Sequence, residues 1–146
     1  MSDEVSEALE EVPLYPEEFV GWRGWVVEKG VLRSVNDKEI WTPNVEFEAE
    51  CSRGRAHNVP ADKCTCGLYS TKTLDKLRQN SYHNLGAFGM VSIWGNIIDR
   101  GLGYRSQFAY PRIIFVPFLS WKLLKGLERY GVPVMLGNPY TMMERN

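Results

Sequence analysis

Three cysteines and one histidine, Cys51, His57, Cys64 and Cys66, fall within sixteen residues of one another. Thiolates and imidazoles are the donors that a structural zinc ion takes, four at a time in a tetrahedron, so the count matches one closed site. An odd number of cysteines, two of them separated by a single residue, is poorly explained by disulfides. We therefore expect these four residues to bind one structural zinc ion, Zn2+. The tight pair is CxC rather than the commoner CxxC, and the pattern occurs once, which leaves reduced thiols packed as small hydrophobes as the plainer alternative. An iron–sulfur site or a catalytic cysteine is a lesser alternative: His57 or His83 offers a base, but no Asn or Asp partner is identifiable. The spacing in Cys64-Thr65-Cys66-Gly67 also departs from the zinc deaminase pattern. A divalent ion with three thiolates and a neutral imidazole carries a net negative charge, and Arg53, Arg55 and Lys63 are near enough in sequence to offset it.

Such ligands need elements to hold them. Cys51 ends a run in which Val45, Phe47 and Ala49 alternate with Glu46, Glu48 and Glu50, the pattern of a strand with one buried and one wet face. A polar loop over 52–63 carries His57, with Gly54 and Pro60 in it, and Gly67 permits a tight turn after the last ligand. Upstream, FVGWRGWVVEKGVLRSV reads as strand, turn and strand, with the turn at Lys29-Gly30. Downstream, YSTKTLDKLRQN reads as a helix capped by Ser70 or Thr71, with Leu74 and Leu77 on its buried side. Two β-rich runs around Asp99-Arg100-Gly101-Leu102-Gly103 predict a long hairpin. In FLSWKLLKGLERYG, apolar residues at Leu119, Leu123, Leu124, Leu127 and Tyr130 predict a helix ended by Gly131, and a short strand follows in VPVML. The expected class is α+β: a small, mostly antiparallel sheet with two helices and a zinc-stabilised loop.

At 146 residues and 44% hydrophobic content the chain suits one domain, taken as residues 19–146. The longest apolar stretch, IIFVPFLSW, carries a proline and is too short for a membrane span. The start, MSDEVSEALEEV, lacks the features of a secretory signal, so a cytoplasmic location is expected. Residues 1–18 hold seven acids and no Lys or Arg, which leaves 11 acids against 17 bases in the body, a formal charge of +6. That acidic arm is expected to be flexible and solvated.

Two surfaces suggest partners. Trp22, Arg23 and Trp25 lie in GWRGW, where Gly21 and Gly24 would leave the rings partly uncovered as a protein-binding surface. The other tryptophans, Trp41, Trp94 and Trp121, are expected in the core. Arg100, Tyr104, Arg105 and Arg112 interleave cations with aromatics, which could stack on and neutralise nucleic acid. An ordinary sheet with aromatics inward and arginines in water explains the same alternation. Gly101-Leu102-Gly103 lacks the GxGxxG of a nucleotide loop and reads as a hairpin turn.

The order GWRGW, then CTCGLY, then VSIWGNIIDRGLGYRSQFAYP resembles uncharacterised small proteins of actinobacteria and their phages with WRxW, CxCG(I/L)(Y/H) and WG…GYR…AYP elements. The matching positions are Trp22, Arg23, Trp25, Cys64, Cys66, Gly67, Tyr69, Trp94, Gly95, Gly103, Tyr104, Arg105, Ala109, Tyr110 and Pro111. The resemblance covers roughly residues 20–112 and implies a shared fold unit and a phage or actinobacterial setting, with no reaction attached. The expected function is a non-enzymatic, zinc-stabilised module that recognises another protein. A nucleic-acid binder using the basic and aromatic hairpin is the alternative, and a metal-dependent or cysteine-dependent enzyme is third.

Overall fold

A computed structural model describes residues 19–35, 39–51, 54, 57–79 and 86–138. The acidic arm, Arg53, Arg55 and His83 lie outside the described residues. Among the described residues, eight strands and two short helices run in the order β1 (Phe19–Glu28), β2 (Val31–Arg33), β3 (Ile40–Trp41), β4 (Phe47–Glu48), β5 (Leu68–Thr71), α1 (Leu74–Gln79), β6 (Gly86–Asp99), β7 (Gly103–Val116), α2 (Trp121–Leu127) and β8 (Val134–Leu136). The α+β class and the small, mostly antiparallel sheet are as the sequence predicts, since only β7 and β8 pair in parallel.

The hairpin of β6 and β7 is the frame. Its strands pair from Phe88↔Phe115 down to Asp99↔Tyr104. At the tip the Arg100 N–H donates to the Gly103 carbonyl and the Gly101 N–H to Asp99 Oδ1. β1 pairs along β6 from Phe19↔Ile93 to Val26↔Gly86. β5 pairs with β7 from Leu68↔Ser106 to Thr71↔Gly103, and it meets β1 at Trp22↔Thr71. The hydrogen-bonded circuit β1, β6, β7, β5 and back to β1 therefore closes, which leaves the four strands that form it without a long free edge. β2 and β3 extend from one end of β1, whereas β4 and β8 lie along β7.

Residues three apart on a strand point to opposite faces. Trp22 and Trp25 consequently serve two different cores. Trp25 joins Leu32, Trp41, Ile93, Ile114, Leu127 and Tyr130, while Trp22 joins Leu74, Leu77, Phe88, Ile113 and Phe115. At 7% and 0% exposure these rings are not an accessible surface, and the reading of GWRGW as exposed anchors is corrected. Gly21 has another purpose: a Cβ there would collide with the Ser70 side chain, so the missing side chain lets β5 close on β1. Arg23 lies over the Trp41 ring at 4.9 Å and donates to the Tyr69 carbonyl over 3.2 Å. It holds the wall together.

Helix α1 buries Leu74 and Leu77 as predicted, but its cap is Thr73, whose Oγ1 accepts from the Lys76 N–H at 3.1 Å. Ser70 and Thr71 are committed to β5 and cannot cap it. Helix α2 starts at Ser120, whose hydroxyl accepts from the Leu123 N–H, and it passes through a 3-10 turn, Glu128–Tyr130, to Gly131. Tyr130 at its end is almost wholly buried, accepts from the Leu32 N–H at 2.8 Å and donates to the Trp41 carbonyl at 2.5 Å. One hydroxyl thus joins β2 to β3. The tryptophan expectations divide: Trp41 is buried, Trp94 is half-buried against Phe108 at 5.8 Å, and Trp121 is 73% exposed.

Candidate metal centre

The alternating run before Cys51 forms a strand only at Phe47–Glu48, because β7 is available there through Phe47↔Ala109 and Glu48↔Phe108. Val45 is exposed, while Phe47 and Ala49 are buried as the alternation requires. The Ala49 N–H donates to the Gln107 carbonyl at 2.8 Å, so the chain is still tied to β7 two residues before Cys51. Cys64 and Cys66 lie just ahead of β5, and a turn in which the Cys64 N–H donates to the Ala61 carbonyl precedes them. Both ligand segments are thereby attached to the same strand, β7, from its two flanking partners β4 and β5.

Gly67 closes this arrangement. Its φ is 111°, and a Cβ there would sit 2.9 Å from Pro60 Cβ and 3.3 Å from Arg105 Cβ. The tight turn predicted after the last ligand is present, and its purpose is close packing of the loop on β7.

The ligand atoms of Cys51, His57, Cys64 and Cys66 all lie within 4.8 Å of one another. No disulfide links the cysteines, and Cys51 Sγ and Cys64 Sγ are 3.7 Å apart. A tetrahedron with metal–sulfur bonds of about 2.3 Å has sulfur–sulfur edges of roughly 3.8 Å, which this separation matches. His57 Nε2 is 3.9 Å from Cys66 Sγ. His57 Nδ1 lies 2.7 Å from the Asn58 carbonyl oxygen, an atom that only accepts. The neutral ring therefore carries its proton on Nδ1 and turns the Nε2 lone pair toward the thiols, the orientation a metal ligand needs. These four residues are close enough to hold a metal ion, as their types and spacing lead one to expect.

The electrostatics distinguish the thiols. The Cys66 backbone N–H, followed by the His57 ring, holds the Cys64 thiol down at about 6. Burial is the main reason the Cys66 thiol lies above its ordinary value. His57 is raised, chiefly by its bond to the Asn58 carbonyl. Of Cys64 and Cys66, Cys64 thus gives up its proton the more readily, a property that favours metal ligation and nucleophilic chemistry alike.

Arg105 is the residue that sequence reading placed elsewhere. Its Nη1 donates to the Cys66 carbonyl at 3.0 Å and also to the Cys64 carbonyl, and the side chain is only 3% exposed. Arg112 is also buried, donating to Ser92 Oγ at 2.7 Å. Tyr104 is half-buried between the Phe19 ring and Lys72 Nζ. Among the four residues of the expected nucleic-acid surface only Arg100 is exposed, so a cationic and aromatic face for nucleic acid is not formed by them. The ordinary alternative, with arginines in water, also fails at Arg105 and Arg112. No local signal separates Arg105 from Arg100. The difference comes from the register Tyr69↔Arg105, which sets that arginine beside the loop ending in Cys66.

Comparison with known protein families, characterised proteins and solved structures finds no match for this chain. The function must be argued from the site itself.

Proposed function

We propose that the protein is a non-enzymatic, zinc-stabilised binding module that recognises another protein. The convergence of three thiols and one imidazole on a common point carries the reading, since four protein ligands make a closed shell of the structural kind. Soft thiolates with an imidazole favour zinc over the oxygen-seeking divalent ions. The ion would hold the polar 51–67 segment, which has little apolar surface of its own, against β7.

The recognition surface we assign lies at the start of α2. Phe118 and Trp121 are each 73% exposed, and Leu136 of β8 is exposed beside Val116, two residues before Phe118. Exposed Lys122 and Lys125 flank them, with Lys125 Nζ 4.9 Å over the Trp121 ring. Aromatic anchors rimmed by cations suit a protein segment that carries apolar and acidic side chains.

One zinc per chain in protein purified without chelators, with loss of ordered structure on chelation, is the expected result. Protein that is fully folded and free of zinc and iron sinks the reading. A cysteine-dependent enzyme is the second reading, favoured by the low value of Cys64. It requires Cys64 to be alkylated at neutral pH in protein as isolated, where a zinc-bound thiolate is protected.

A further inference from the structure

Arginine stays charged at every pH a protein meets, so burying one is costly unless an anion lies close by. Arg105 is buried at 3% exposure, yet among the described residues no carboxylate pairs with it. Its Nη1 is satisfied by the carbonyls of Cys64 and Cys66, while its Nε and Nη2 have no acceptor among the described residues. Neutral carbonyls orient a guanidinium, but they do not balance its charge. The two carbonyls it grips belong to Cys64 and Cys66, two of the four residues of the cysteine and histidine cluster, so that cluster is tied to it through the backbone. A divalent ion in that cluster, bound by three thiolates and a neutral imidazole, leaves the shell with one net negative charge.

We propose that Arg105 is the counter-charge and positioning residue of the metal centre, and that the centre is an anionic shell of one divalent ion with all three cysteines as thiolates. This rests on the metal-binding reading above. The contacts on the Cys64 and Cys66 carbonyls fix the CxC turn that carries both sulfurs, and the guanidinium charge offsets that of the loaded shell. Gly67 is part of the same device, since a side chain there would push against Arg105 Cβ. Lys63, the charge that sequence proximity suggests, is exposed to solvent, where its attraction for the shell is screened.

The test uses the full chain and zinc alone, with affinity read by competition against a chromophoric chelator for wild type, Arg105→Lys and Arg105→Met. Arg105→Met is expected to raise the zinc Kd by about 10- to 100-fold, the usual loss when an outer-shell partner of a ligand is removed. Arg105→Lys, which keeps the charge and gives up the fork, is expected to fall between wild type and Arg105→Met. An Arg105→Met affinity indistinguishable from wild type overturns the proposal, as do equal losses in the two variants, which would leave a role in packing alone. Should Arg105→Met fail to fold without metal, the rate of zinc transfer from zinc-loaded Arg105→Lys and Arg105→Gln decides it: faster transfer from Gln supports the counter-charge, and equal rates overturn it. Wild-type protein that takes up no zinc overturns the metal reading itself, whereas wild-type uptake without an Arg105 effect overturns only the counter-charge.

Discussion

Arg105 and Cys66 stand 39 positions apart in the chain, and the guanidinium of the first donates to the carbonyl of the second over 3.0 Å. The bond joins the start of β7 to the turn that carries two of the four candidate ligands, so the candidate metal centre and the closed sheet share one anchor. Loss of the centre should therefore be felt in the sheet, and the reverse.

Replacing Cys64 by Ser removes a ligand and a thiolate together. Zinc affinity should fall by more than the roughly 10–100-fold typical of outer-shell changes, with melting temperature falling in parallel. Zinc binding should also weaken as pH falls, because protons compete for the Cys and His donors. Metal content after dialysis at a series of pH values, with thermal melts of the same samples, checks both.

Gly67→Ala should weaken the protein and the metal site in one step. The backbone there has φ of 111°, which disfavours any Cβ, and the added atom meets Pro60 and the Arg105 stem. Strain at such a position costs about 1–3 kcal/mol. Denaturant unfolding of the zinc-loaded variant measures it, and an unchanged midpoint would show that the turn can relax.

Tyr130→Phe should cost about 1–3 kcal/mol, since the Leu32 N–H and the Trp41 carbonyl lose their shared partner inside the core. Burial is the main cause that raises the Tyr130 phenol above its ordinary value. The fold thus prefers the neutral phenol. Its contribution is complete below the unfolded value, near 10, and is lost as pH rises through the higher folded value. Urea midpoints across the alkaline range should decline more steeply for wild type than for Tyr130→Phe.

Trp25→Ala and Trp22→Ala should each destabilise by about 3–5 kcal/mol, because both rings fill cores, on opposite faces of β1. Trp121→Ala should stay within about 0.5 kcal/mol of wild type, as an exposed ring has little packing to lose. If Trp121→Ala together with Phe118→Ala preserves the melting temperature and abolishes partner capture, the recognition surface is where we assign it. Retained capture moves it elsewhere.

Much of this was legible along the chain. Period-two and period-3.6 patterns identify the Lys29-Gly30 turn, the long hairpin around residues 99–103, both helices and the last strand, because local propensity and the buried face agree in each. The four candidate ligands are equally legible, since donor type and spacing are local facts. What the sequence could not decide is which side of a strand meets a second layer. Trp22 and Trp25 look like one exposed motif until Leu74 and Leu77 join the core around the first and Trp41, Leu127 and Tyr130 the core around the second, and Arg105 looks like Arg100 until β5 pairs with β7. Burial of a strand residue depends on partners far away in the chain. The strands' alternation sets only that the two faces differ, and tertiary pairing alone chooses which charge is taken out of water and set against the Cys64 and Cys66 carbonyls.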